Sequence, residues 1–145
     1  MEIEIRDLQT AATDHGMLRR AAELALREGG GELDRLSVAL VDDPRIEQVN
    51  RAFRNRTGPT DVIAFEAEVE AGESAGEVII SVETAQRQAG EAGHGLQREL
   101  CLLMAHGVLH VLGYDDESEA GAEQMGRLQE TVLTRLEESP DRDDR

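Results

Sequence analysis

The segment 99–112 constrains the fold more than any other part of this chain, because it is apolar on nearly every side. Leu100, Cys101, Leu102, Leu103, Met104, Val108, Leu109, Val111 and Leu112 leave almost no polar face on a helical projection. A helix here must therefore be wrapped by other elements rather than laid on a surface. Two histidines, His106 and His110, interrupt it at a spacing of four. At 3.6 residues per turn they lie about 40° apart and leave the same helix face. Such a pair either decorates a core helix or grips one metal ion. Imidazoles set among so much aliphatic surface need a polar partner, and an ion would supply one.

Gly113 falls three residues after His110, where a helix that stops favours a residue able to take positive φ. A chain reversed there can carry Asp116 back to the open side of the histidine pair. His106, His110 and Asp116 would then make a three-ligand set with a fourth position left for water, the pattern of catalytic rather than structural zinc. Asp115 is the competing third ligand. Metalloproteases of the H-E-x-x-H type carry a general-base glutamate after the first histidine, where this chain has Gly107, so a peptidase mechanism lacks its base.

Periodicity organises the rest. Residues 1–6 alternate apolar and charged side chains as an edge strand does, and 13–28 form an amphipathic helix that Gly29-Gly30-Gly31 breaks. Residues 33–41 read as a strand. Asp42 or Asp43 before Pro44 caps a helix reaching about Phe53. After a loop at 55–59, strands at 62–67 and 77–81 flank an acidic, glycine-containing connection. Helices follow at 82–92, 96–112 and 118–137, the last with Met125, Leu128, Val132, Leu133 and Leu136 inward. This is an α/β (α+β) chain with one four-stranded sheet and about five helices, a single domain over 1–138, and residues 139–145 read as a frayed tail.

Three ordered blocks carry a family resemblance. The run His106-Gly107-Val108-Leu109-His110-Val111-Leu112-Gly113-Tyr114-Asp115-Asp116 resembles the signature of the bacterial YbeY family of single-strand-specific endoribonucleases and ribosomal RNA maturation factors. Asn50-Arg51-Ala52-Phe53-Arg54 with Pro59-Thr60-Asp61-Val62-Ile63-Ala64-Phe65 is similar to that family's arginine segment and the strand after it. Gly76-Glu77-Val78-Ile79-Ile80-Ser81 with Thr84-Ala85 and Gln88-Ala89 is the third block. The resemblance spans roughly residues 33–135 and implies a mixed sheet packed with helices. It also implies one Zn²⁺ ion and an arginine, Arg54, in the cleft, where a guanidinium suits bidentate contact with a phosphate gaining charge. The implied partners are single-stranded RNA, ribosomal RNA near the small-subunit 3′ end, and the small ribosomal subunit, with no DNA. The family pattern ends in a third histidine where this chain has Asp116. A carboxylate there lowers the charge of the centre by one, weakens it as a Lewis acid and makes Mn²⁺ a better competitor.

Charge argues in the other direction. The formal net charge is −16 over 145 residues, whereas nucleic-acid binding normally carries a basic footprint. Much of the acid falls in segments expected to be solvated (66–77, 115–123 and 137–144), and Arg51, Arg54 and Arg56 form a compact basic cluster. No apolar run reaches the roughly 18 residues of a membrane span, and the N-terminus lacks a signal-peptide layout, so a cytoplasmic location is expected. The lone Cys101 reads as packing. Glu99, on the His106 face, is either a support for a metal ligand or an exposed first-turn acid. Two other functions stay open: a ribosome-assembly factor with a structural or weakened metal site, and a metal hydrolase of peptides or small molecules.

Overall fold

Within residues 1–67 and 72–138, which the computed structural model describes, strands and helices follow one another in a mixed order. They are β1 (Glu2–Asp7), α1 (His15–Glu28), β2 (Arg35–Val41), α2 (Asp43–Arg54), β3 (Val62–Glu66), β4 (Ala75–Ser81), α3 (Val82–Ala92), α4 (Leu96–Val111) and α5 (Glu119–Glu138). The expected four strands and five helices are all present. Residues 68–71 of the acidic connection, and the tail at 139–145 read as frayed, lie outside the described residues. Among those described, no helix is long and apolar enough to cross a membrane.

The strand order is β1-β2-β4-β3. β2 pairs in parallel with both β1 and β4, and β3 runs antiparallel to β4, so the sheet is mixed as expected. Alternation along the strands divides two cores. Leu36, Val38, Leu40, Val62, Val78 and Ile80 enter the large core with α1, α4 and α5. Val41 and Ile63 point the other way and meet Ile46 of α2 in a small one, which Phe65 and Ile79 flank. Helix starts are set by side-chain caps: Asp14, Asp42 and Ser81 accept from the backbone N–H groups of Met17, Arg45 and Thr84.

α4 is the central element, packed against α1, α3, α5, β3 and β4. Two glycines permit that approach. A Cβ on Gly107 would stand 2.8 Å from Val78 Cγ1, and one on Gly76 of β4 would stand 2.6 Å from Val111 Cγ1. The absence of a glutamate after His106 thus has a steric cause besides its chemical consequence, since that position is pressed onto the sheet. α4 then ends as the sequence predicts. Gly113 takes φ 106°, with its N–H donated to the His110 carbonyl (3.0 Å) and that of Tyr114 to the Leu109 carbonyl (3.1 Å), a Schellman closure. The Tyr114 hydroxyl donates to the Gly29 carbonyl at 2.8 Å, tying the turn after α4 to the turn after α1.

A second tie joins α2 to the start of α3. The Asp43 carboxylate accepts from Ser81 Oγ (2.6 Å), Thr84 Oγ1 (2.7 Å) and Arg87 (2.9 Å). Burial pushes its pKa up, but these hydrogen bonds and the arginine outweigh burial and hold it below the ordinary 3.8.

Two outcomes follow from this packing. Gly107→Ala should destabilise the fold by roughly 1–3 kcal/mol through overpacking, and Val78→Ala should relieve part of that loss, measured as a double-mutant cycle in urea. Additive losses would show that the close approach is not what selects glycine. Asp43→Ala should cost on the order of 1–2 kcal/mol at pH 7. Because the folded pKa is depressed, that contribution is present above the unfolded value near 3.8 and fades as pH falls through the folded one. The melting temperatures of wild type and Asp43→Ala should therefore begin to converge as pH falls below about 3.8.

Candidate active site

One face of the last two turns of α4, carrying His106 and His110, opens into a cleft of about 710 Å³. Its walls are the end of α2 and the loop after it (Phe53, Arg54, Arg56), the stretch from Thr60 through β3 to Phe65, the α4 histidines, and the turn Asp115, Asp116 and Glu117. Every residue singled out as a site candidate, Arg54, His106, His110, Asp116 and the alternative Asp115, lines this one cleft. Arg51 does not. It lies one turn from Glu47 on α2 and pairs with it at 2.8 Å, so the expected three-arginine cluster is reduced to Arg54 and Arg56 within the cleft.

The two imidazoles are parallel to within 5°, their centroids 6.5 Å apart. Their surroundings differ. His106 is half-buried and His110 exposed, because both leave the one face of α4 that opens to the cleft while Gly107, Val108, Leu109 and Val111 stay buried on the other faces, so the expectation that both sit among apolar side chains applies to His106 alone. His106 Nδ1 lies 2.9 Å from Gln129 Oε1 of α5. An amide oxygen only accepts, so Nδ1 carries the proton and a neutral ring presents an Nε2 lone pair. Gln129 escapes motif reading because it is distant in sequence. It does sit one turn after Met125, on the inward stripe of α5, and a lone polar side chain in such a stripe is a legible signal.

The acidic turn separates the two carboxylate candidates. Asp115 Oδ1 accepts from the Glu117 N–H at 3.0 Å, a local turn bond. Asp116 has no hydrogen bond or ion pair among the described residues, which leaves its carboxylate free. No three His, Cys, Asp or Glu side chains among the described residues stand close enough together to hold an ion. The donor chemistry nonetheless suits a cation. Asp61, Asp115, Asp116 and Glu117 outnumber the two guanidinium groups by two in this cleft, so one divalent ion would bring it to neutrality.

Other polar side chains outside the cleft are structural. Glu99 is 5% exposed and bonds His94 Nε2 at 2.7 Å, so it is neither an exposed first-turn acid nor paired with His106. His15 pairs with Asp7 at 3.0 Å. Tyr114 donates its hydroxyl to the Gly29 carbonyl and so serves packing. Burial pushes the Cys101 thiol up to about 12, which fits packing rather than nucleophilic use. The arginine loop is held by Asn50, whose amide donates to the Gly58 carbonyl at 3.0 Å, and by Asn55, which ends α2 in the left-handed region at φ 53°.

With this arrangement in place, relatives can be compared. A family model described as Endoribonuclease YbeY matches residues 2–137. The chain belongs to that family. Among curated members named Endoribonuclease YbeY, that of Pelotomaculum thermopropionicum is 47% identical, with 83% of this chain and 85% of the relative covered. That of Aquifex aeolicus is 41% identical over 82% and 81%. The solution structure of a Thermotoga maritima protein superposes with a TM-score of 0.61 over 97% of this chain and 95% of that one, at 22% identity, and so shares the fold.

Replacing Gln129 tests how His106 is held. In wild type, two-dimensional ¹⁵N NMR should find neutral His106 as the Nδ1–H tautomer, and Gln129→Leu should shift it toward the Nε2–H form. An unchanged tautomer would mean that Gln129 does not orient the ring.

Proposed function

We propose that this protein is a metal-dependent endoribonuclease that cuts single-stranded RNA and matures small-subunit ribosomal RNA in the cytoplasm. The observation that carries this reading is the meeting, in one cleft of a YbeY-family fold, of His106, His110 and Asp116 with Arg54. His106, held by Gln129 with its Nε2 free, and His110 beside it would serve as nitrogen donors, and the unpaired Asp116 as the oxygen donor. Zn²⁺ is the ion this set fits, with Mn²⁺ a competitor because of the carboxylate. Such an ion, when bound, supplies positive charge against a phosphoryl oxygen and lowers the pKa of a coordinated water.

The chain's own groups do the rest. Arg54, on the opposite wall and free of ion pairs among the described residues, presents a planar fork to a phosphodiester and stabilises the charge its oxygens gain. Arg56, two residues on in the same wall, suits a neighbouring phosphate. Asn50 ties the loop that carries Arg56 to the helix that ends at Arg54, so the two cations stay spaced along a strand rather than collapsing onto the acids across the cleft. Association with the small ribosomal subunit would bring this acidic protein to its RNA.

A second reading has one observation in its favour: three ligands do not converge among the described residues. On that reading the protein assists ribosome assembly with a weak metal site and little cleavage. Metal content and cleavage of single-stranded RNA, compared for wild type, Asp116→Ala, Asp116→His and Arg54→Ala, separate the two. Asp116→Ala should lose metal and activity together, and Asp116→His should gain zinc affinity. Arg54→Ala should keep its metal while the cleavage rate falls about 10²–10³-fold. Wild type loaded with Zn²⁺, Mn²⁺ or Ni²⁺ that leaves RNA intact at low and high salt would overturn the nuclease in favour of the assembly factor.

A further inference from the structure

The chain has two phenylalanines, one tyrosine and no tryptophan, and both phenylalanines stand in the wall of the cleft. Phe53 and Phe65 stack with ring centroids 6.0 Å apart and planes 20° from parallel. Phe65 is half-buried on β3 against the small core formed with α2. Phe53 is 73% exposed, more than Leu8 at 43% or Met1 at 50%. An aromatic ring left this open gives up most of the stabilisation that burial would provide, although its position continues the stripe of Ile46 and Val49 along α2. One ring face rests on Phe65 and the other is free. Immediately beside it in sequence comes Arg54, and the Asn55 turn then brings Arg56 into the same wall.

We infer that Phe53, backed by Phe65, is a stacking platform for a nucleobase of the RNA strand whose phosphates Arg54 and Arg56 hold. The inference rests on the RNA reading above and adds to it a residue that touches the base rather than the phosphate. The occupant follows from the neighbours. An apolar protein partner would have to bury two unpaired arginines and face four carboxylates across the cleft. A nucleotide instead offers a flat ring for the phenyl face and an anion for the guanidinium groups. The pairing also explains a preference for single strands, because bases in a duplex are already stacked on each other and expose no free face. Every base has such a face, so the platform would discriminate little between sequences.

The absence of tryptophan gives a direct probe. Phe53→Trp introduces the chain's sole indole, and its emission should be quenched when a short single-stranded oligoadenylate binds. An abasic ribose-phosphate strand of equal length and a fully paired RNA duplex should leave the emission unchanged. In fluorescence anisotropy, Phe53→Ala should bind the oligoadenylate roughly 5- to 100-fold more weakly than wild type and the abasic strand about equally. It should also raise KM for cleavage more than it lowers kcat. If wild type binds RNA but Phe53→Ala binds it equally well, or the indole is not quenched, the platform falls and the nuclease reading stands. If wild type neither binds nor cuts RNA, both fall. Loss of self-association in Phe53→Ala on sedimentation, with RNA binding unchanged, would make this face a contact between copies of the chain and overturn the proposal.

Discussion

The contact between α4 and the sheet is the constraint on which the rest depends. A helix that must be covered on all sides can be central only if it lies close to the strands, and here the approach is close enough to exclude a side chain at Gly107 on one surface and at Gly76 on the other. Those positions fix where along its axis α4 sits. One face of its last turns consequently opens to the cleft, with His106 half-buried and His110 exposed, while Val108, Leu109 and Val111 stay in the core. The same contact sets the turn at Gly113, since the helix stops where Val111 meets β4. A histidine pair on a helix free to slide by even one turn would move about 5 Å and miss the arginine wall opposite.

Much of this architecture is legible in the sequence because the signals are local. Apolar continuity from Leu100 to Leu112 marks the central helix, the glycine after it marks the reversal, and period-two patterning marks the strands. What is illegible depends on the third dimension. Composition could not say which face of an all-apolar helix opens to a cleft, so the exposure of His110 differs from the expectation while that of His106 agrees. The arginines at 51, 54 and 56 look like one cluster along the chain. On a helix, however, 51 faces 47, four residues back, and an acid there removes it from the cleft. Glu99 shares a helix face with His106, but a shared face does not decide a partner, and the His94 imidazole across the Gly95 turn is nearer. Gln129 and the Phe53–Phe65 stack arise from contacts between elements far apart in sequence, for which no spacing rule exists.

Asp116 takes its meaning from the same geometry. The turn at 115–117 carries three acids into the cleft, and a local bond to the Glu117 N–H occupies one carboxylate while leaving its neighbour free. The unpaired Asp116 carboxylate shares its cleft with two imidazoles, one of them oriented by an amide, but the three do not converge among the described residues. The acid excess of the cleft favours a cation independently of ligand geometry. Without a cation, the wall facing Arg54 repels the phosphodiester that Arg54 would attract.

Electrostatics at longer range then decide how such a site meets an anionic substrate. With a net charge of −16, the protein as a whole repels RNA, and the attraction of two cleft arginines acts only within roughly a Debye length, about 8 Å at physiological ionic strength. Salt screens the long-range repulsion and the short-range attraction together, whereas a basic nuclease loses only attraction. Affinity for RNA in this chain should therefore depend less steeply on salt than the phosphate contacts alone imply. Contacts that salt does not weaken carry correspondingly more of the binding. A stacked base is one such contact, and it lies beside the two cations that need its help.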